Sequence, residues 1–117
     1  MINVRINSIN WSVIFCEKGE PALNGDTSET AGSEINESVL GITWFSQARI
    51  YVRKDVHNDI VYRTLKHELC HAYLFSYGLD GNDMSEEDIA CFLESHAENI
   101  VNDAKRLYNR YRSEAIA

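Results

Sequence analysis

No apolar run in this sequence approaches the roughly 18 residues that a transmembrane helix needs, so a membrane-spanning helix is not expected. Cysteine is scarce. Cys16, Cys70 and Cys91 are odd in number and form no C-x-x-C pair, which predicts reduced, mostly buried thiols rather than a disulfide framework. Positive charge is also in short supply: 11 Lys and Arg stand against 18 Asp and Glu, a net charge of -7. Nucleic acid and anionic membrane both require a basic surface, so neither is expected as the main partner. The opening stretch Met1-Ile2-Asn3-Val4-Arg5-Ile6-Asn7 alternates polar and apolar residues. It lacks the charged-then-apolar layout of a signal peptide, which predicts a cytoplasmic location.

What is present is ordinary globular composition over 117 residues, 44% hydrophobic and 25% charged, which predicts one domain spanning 1–117. The first half reads as strands, at 3–6 and 11–16. Residues 17–37 are rich in Glu, Gly, Asn, Asp, Ser and Thr and contain the single proline, Pro21. They predict a long loop, mobile or serving as a lid over a substrate. Segments 39–45 and 48–52 predict a hairpin, with Ile50 and Val52 on one face and Tyr51 on the other. A helix follows over about 58–77, ended by Gly78, and then a turn over 78–83. A second helix runs over about 86–112, with Ser85 as N-cap and Asp88 closing a near capping box. This order predicts an α+β fold, with the helices packed on a small antiparallel or mixed sheet.

The stretch His67-Glu68-Leu69-Cys70-His71 reads H-E-x-x-H. On a helix, residues four apart share a face, so His67 and His71 can present two imidazoles to one metal ion. Glu68, one step round the turn, can act as general base on a water without filling a ligand position. Two neutral nitrogens, a carboxylate and an open coordination site are what a zinc hydrolase needs. In zinc hydrolases with this motif a strand commonly runs along the cleft; 48–52 is expected to be that strand, its exposed edge open to an extended peptide. Cys70 points about 100° away from His71 and is not counted as a ligand.

A catalytic zinc ion usually has three protein ligands. In the last helix Ile89, Leu93, Ala97, Ile100, Ala104, Leu107 and Tyr111 recur at three- and four-residue intervals and predict the buried stripe. Glu86 falls in the middle of that stripe, where an acidic group needs a partner. It is the preferred third ligand, with Glu87 and His96 as rivals. His96 is alternatively an oxyanion donor, a role open to Tyr77 as well.

The segments Thr64-Leu65-Lys66-His67-Glu68-Leu69-Cys70-His71-Ala72 and Glu86-Glu87-Asp88-Ile89-Ala90-Cys91-Phe92-Leu93 resemble the small zincin-type metallopeptidases of the ImmA/IrrE kind. They also resemble the related metallopeptidases of phages and mobile elements. The likeness covers about residues 38–100. It implies a zincin-like fold, a Zn2+ cofactor, hydrolysis of peptide bonds in a protein substrate, and Glu86 as the third ligand. Two features depart from the family pattern: Ile89 replaces a small residue, and the interval from His71 to Glu86 is short. The residues also allow a second function, a catalytically silent zinc-binding interaction module. The intact base position at Glu68 favours the enzyme, since a structural zinc site needs no base.

Overall fold

The structure is a computed structural model that describes residues 1–24, 39–80 and 83–116. Strands β1 (Ile2–Ile6) and β2 (Ile9–Cys16) form an antiparallel hairpin. Asn7 and Ser8 join them, both at positive φ, 46° and 70°, the sign that a type I′ two-residue hairpin turn requires at both central residues. The Asn7 amide donates to the Ser76 carbonyl at 2.8 Å and so ties this turn to the end of the first long helix.

Strands β3 (Gly41–Trp44) and β4 (Arg49–Arg53) form the second hairpin. The sheet is mixed: β4 lies parallel to β2, and the order across the sheet is β1-β2-β4-β3. One expectation is corrected here. The strand expected at 48–52 to present a free edge is β4, which is interior; β3 takes that edge of the sheet and β1 the other. The reason is the parallel β2–β4 pairing, which links strands far apart in sequence and leaves no local signal.

Helices α1 (Asn58–Ser76) and α2 (Glu86–Ile116) follow. Their ends are set by chemistry visible in the chain. At the C-terminus of α1, Gly78 takes φ 73°, and the amides of Gly78 and Leu79 return to the carbonyls of Phe75 and Leu74, which is the Schellman pattern. At the N-terminus of α2, Ser85 and Asp88 exchange reciprocal side-chain to backbone bonds, both 3.1 Å long. The helices run antiparallel, matched by Arg112 to Asn58 at one end and by the ring contact of His96 with Tyr77 at the other.

Both helices lie on the sheet face that carries Val4, Trp11, Val13, Ile50 and Val52, all buried against Val61, Leu65, Leu69, Ala104 and Leu107. Tyr51 points to the opposite face, as expected, where it joins Cys16 and Leu23. The first part of the expected long loop is ordered: Pro21–Asn24 form a short 3-10 turn, and Ala22 accepts a bond from the Trp44 indole at 2.8 Å. The rest of that expected lid or mobile loop, 25–38, and positions 81–82 of the expected turn lie outside the described residues. Among the described residues no helix is long and apolar enough to cross a membrane.

The predicted stripe of α2 holds from Ile100 onward and fails before it. Ile100, Ala104 and Leu107 are buried, whereas Ile89 is 46% and Leu93 52% exposed, and Phe92 is buried in their place. The N-terminal turns of α2 run past the end of α1, and the packed residues there are His96, against Tyr73 and Tyr77, and Phe92, against His96. The thiols also differ from expectation: Cys16 is buried, Cys70 half-buried and Cys91 exposed, all free.

The Trp11 indole N–H, fully buried, donates to the Ser76 hydroxyl at 2.9 Å. Ser76→Ala leaves that donor unpaired in the core. It should destabilise the fold by about 1–3 kcal/mol, read as a lower urea midpoint at unchanged m-value.

Candidate metal centre

The middle turns of α1 place His67, Glu68 and His71 together. One ligand atom from each lies within 4.8 Å of the others. Both histidines are exposed and Glu68 is 6% exposed. The two Nε2 atoms are 3.3 Å apart, with the rings nearly perpendicular at 75°. Two nitrogens each about 2.05 Å from one ion and a tetrahedral angle apart are separated by about 3.3 Å. The pair of imidazoles therefore fits a zinc ion without rearrangement, with the Glu68 carboxylate beside it. Without metal, the same spacing lets one Nε2–H donate to the other. Among the described residues neither Nδ1 has a hydrogen-bond partner, so nothing there fixes the ring tautomers.

Glu68 is buried because β3 closes over it. Thr43, on the helix-facing side of β3, has its hydroxyl 3.2 Å from the Glu68 backbone carbonyl and 3.3 Å from Oε2. One carboxylate oxygen is thus held and the other left open. Burial pushes the Glu68 carboxyl above its usual range, opposed by His71, His67 and the Thr43 bond, in that order. An upward shift is the direction that suits a base working near neutral pH.

Gly41 makes this closure possible. A Cβ at Gly41 would stand 2.7 Å from Thr64 Cγ2, 3.0 Å from the Tyr51 carbonyl oxygen and 3.2 Å from Glu68 Cγ. Beside the closure lies a cavity of about 580 Å³, walled by Val39, Leu40, Ile60 and Thr64 and reaching His67 and Glu68. A second, mainly apolar groove of about 380 Å³ runs between the helices, from His67 and Cys70 to Leu93 and Ala97.

Of the residues singled out in the sequence, the structure brings together His67, Glu68 and His71. It does not bring Glu86, Glu87 or His96 to them. Glu86 and Glu87 are exposed on the first turn of α2. Ala97, which lines the groove beside His67, is 11 residues beyond Glu86, roughly 16 Å of helical rise. His96 packs among Tyr77, Phe92 and Tyr73, with ring centroids 4.2, 5.2 and 5.8 Å away. Its buried Nδ1 has no partner among the described residues. Thr43 and Gly41 carry no signal in the sequence, because their roles depend on the register of β3 against α1.

The chain matches no protein-family model, no curated protein and no solved structure.

Gly41→Ala should force β3 away from α1, costing about 1–3 kcal/mol of stability. Thr64→Ser removes the nearest methyl, so in the double variant part of that loss should return, with the approach to Tyr51 still unrelieved. Urea melts of the two single variants and the double variant check this. Additive losses would place the strain elsewhere.

Proposed function

We propose that this protein is a zinc-dependent metallopeptidase with a zincin-like fold, acting on peptide bonds of a protein or peptide substrate. The observation that carries this reading is the 3.3 Å Nε2 pair of His67 and His71 with a buried carboxylate, Glu68, beside it. His67 and His71 would hold the ion. Zinc bound there supplies a Lewis acid that lowers the pKa of water toward neutrality and polarises a carbonyl.

The chain's own residues do the rest. Glu68 takes the proton of the attacking water and delivers it to the leaving amine. The Thr43 hydroxyl, its one proton shared between the Glu68 carbonyl and Oε2, leaves the other carboxylate oxygen free to accept the water proton. The edge strand β3 offers unpaired backbone groups to an extended peptide, the role first read for 48–52. Glu86 takes the third ligand position by its match to the family motif. As the chain stands it is exposed and apart from the histidines, so that assignment rests on the resemblance. The sequence-based expectation of a cytoplasmic protein without nucleic-acid or membrane partners accompanies this reading.

A second reading draws on the same geometry. Only two histidines and a base are gathered among the described residues, and such a site can bind metal without turnover. The chain would then be a zinc-binding interaction module from a phage or mobile element.

The purified protein should bind close to one zinc per chain, and His67→Ala or His71→Ala should abolish it. Glu68→Gln should keep zinc and fold while lowering peptide hydrolysis by about 10²- to 10⁴-fold. Elemental analysis and a peptide-cleavage assay measure both. Zinc retained at full stoichiometry in either histidine variant rules out the site. Zinc without any turnover in the wild type favours the interaction module.

For the third ligand, Glu86→Ala should weaken zinc binding strongly and Glu87→Ala only mildly, while His96→Ala retains the metal. A competition titration with a chromophoric chelator ranks the three. Loss of zinc in His96→Ala alone would transfer the assignment to His96.

A further inference from the structure

The cavity beside Glu68 contains a cation that the proposed chemistry does not use. Arg63 lies one turn before His67 on α1, a separation that puts both on one helix face, about 6 Å apart along the axis. It is exposed, lines the cavity together with Val39, Leu40 and Ile60, and reaches the groove between the helices as well. Among the described residues it has no ion pair and no side-chain hydrogen bond. Asp59, one turn before Arg63, lies 3.7 Å from His57, and two further charged groups of α1 are committed differently. The Lys66 ammonium sits 4.9 Å over the Tyr62 ring, and Glu68 is tied to Thr43.

We propose that this cavity is a carboxylate-recognising subsite, in which Arg63 binds an acidic group of a peptide whose apolar stem rests against Val39, Leu40 and Ile60. The proposal rests on the peptide-binding reading above and names its substrate class.

The chemistry favours a singly charged ligand. A guanidinium meets a carboxylate through two parallel N–H donors. Glu68 and His67 line the cavity too, so without zinc one permanent cation and one carboxylate face the ligand. A dianion such as a phosphate monoester would meet more repulsion from Glu68 than a carboxylate does. The apolar walls match the methylenes of a glutamate, or the last side chain of a peptide that ends there. An extended chain advances about 3.3 Å per residue. Arg63 is therefore within side-chain reach of a residue next to, or one removed from, a carbonyl placed at His67. The overall charge of -7 repels acidic ligands at long range, so selection has to come from this local contact and not from steering.

The full chain is titrated, with and without zinc, with two matched pairs of peptides, and backbone amide shifts are followed by NMR. One pair is acetyl-Ala-Ala-Glu-Ala-Ala-amide and its Gln counterpart. The other is acetyl-Ala-Ala-Leu as free acid and as amide. Binding should favour an acidic member by about three- to tenfold, the range of one partly exposed charge pair. A preference in the first pair identifies an internal acidic residue as the ligand, and one in the second pair a chain terminus. Arg63→Gln should erase the preference, Arg63→Lys should keep part of it, and Lys66→Gln should leave it intact. Arg63 is exposed, so its replacement should leave the fold unchanged within about 0.5 kcal/mol.

Equal affinity within both pairs, no binding of any peptide, or a preference that survives Arg63→Gln would each overturn the subsite. If zinc fails to bind but the Arg63-dependent preference remains, the subsite stands and the hydrolase reading falls. If zinc binds stoichiometrically with no preference, the reverse holds.

Discussion

The arrangement depends on the close approach of β3 to α1. Glu68 occupies a buried position on a helix whose neighbouring histidines are exposed, and it does so because an edge strand passes directly over it. Two features of that strand allow the approach. Gly41 offers no side chain where one would strike Thr64 and Glu68, and Thr43 offers a hydroxyl where an apolar residue would leave the carboxylate unpaired. A buried carboxylate without a donor is costly, so strand and helix are matched in both shape and polarity at this crossing.

The sheet order serves that contact. β4 pairs with β2 on one side and β3 on the other. The apolar residues of β4, Ile50 and Val52, are fully buried under α1, while β3 projects beyond them toward the solvent side of the same helix. α1 is thus anchored through β4 and exposes its histidines past β3. The second helix adds mainly core: from Ile100 to Leu107 it covers the other flank of α1, and its first turns extend past the end of α1 with Ile89 and Leu93 facing solvent.

How much of this could be read from the sequence follows the range of the interactions. Both helices were legible, with ends close to those observed, because their caps are local chemistry: Gly78 at one end, Ser85 with Asp88 at the other. The alternation of Ile50, Tyr51 and Val52 was legible because period two needs no partner. The spacing of His67 and His71 predicts their convergence for the same reason. The hairpin turn at Asn7-Ser8 was not legible, since no glycine marks it. The interior position of β4 was not legible, since a parallel partner comes from a distant part of the chain. The burial of Glu86 was argued from periodicity alone and failed because a helix can be amphipathic beyond the reach of the helix it packs against. Thr43, Gly41 and Arg63 gain their significance from the register of β3 on α1, which no local pattern encodes.

The mixed sheet has a consequence for the order of assembly. β1 with β2, β3 with β4, and α1 with α2 are each neighbours in sequence, and such local pairs form quickly. The β2–β4 pairing and the β3–α1 crossing are non-local: Thr43 and Glu68 are separated by 25 positions. Their formation waits on closure of longer loops. The crossing lies at the edge of the sheet, where few neighbours hold it, and such seams open at lower free energy than the core. Amide exchange along β3 would therefore run ahead of exchange in β2 and the centre of α1. The bond between Thr43 and Glu68 would then break in brief partings of β3 while the Trp11 core stays shut.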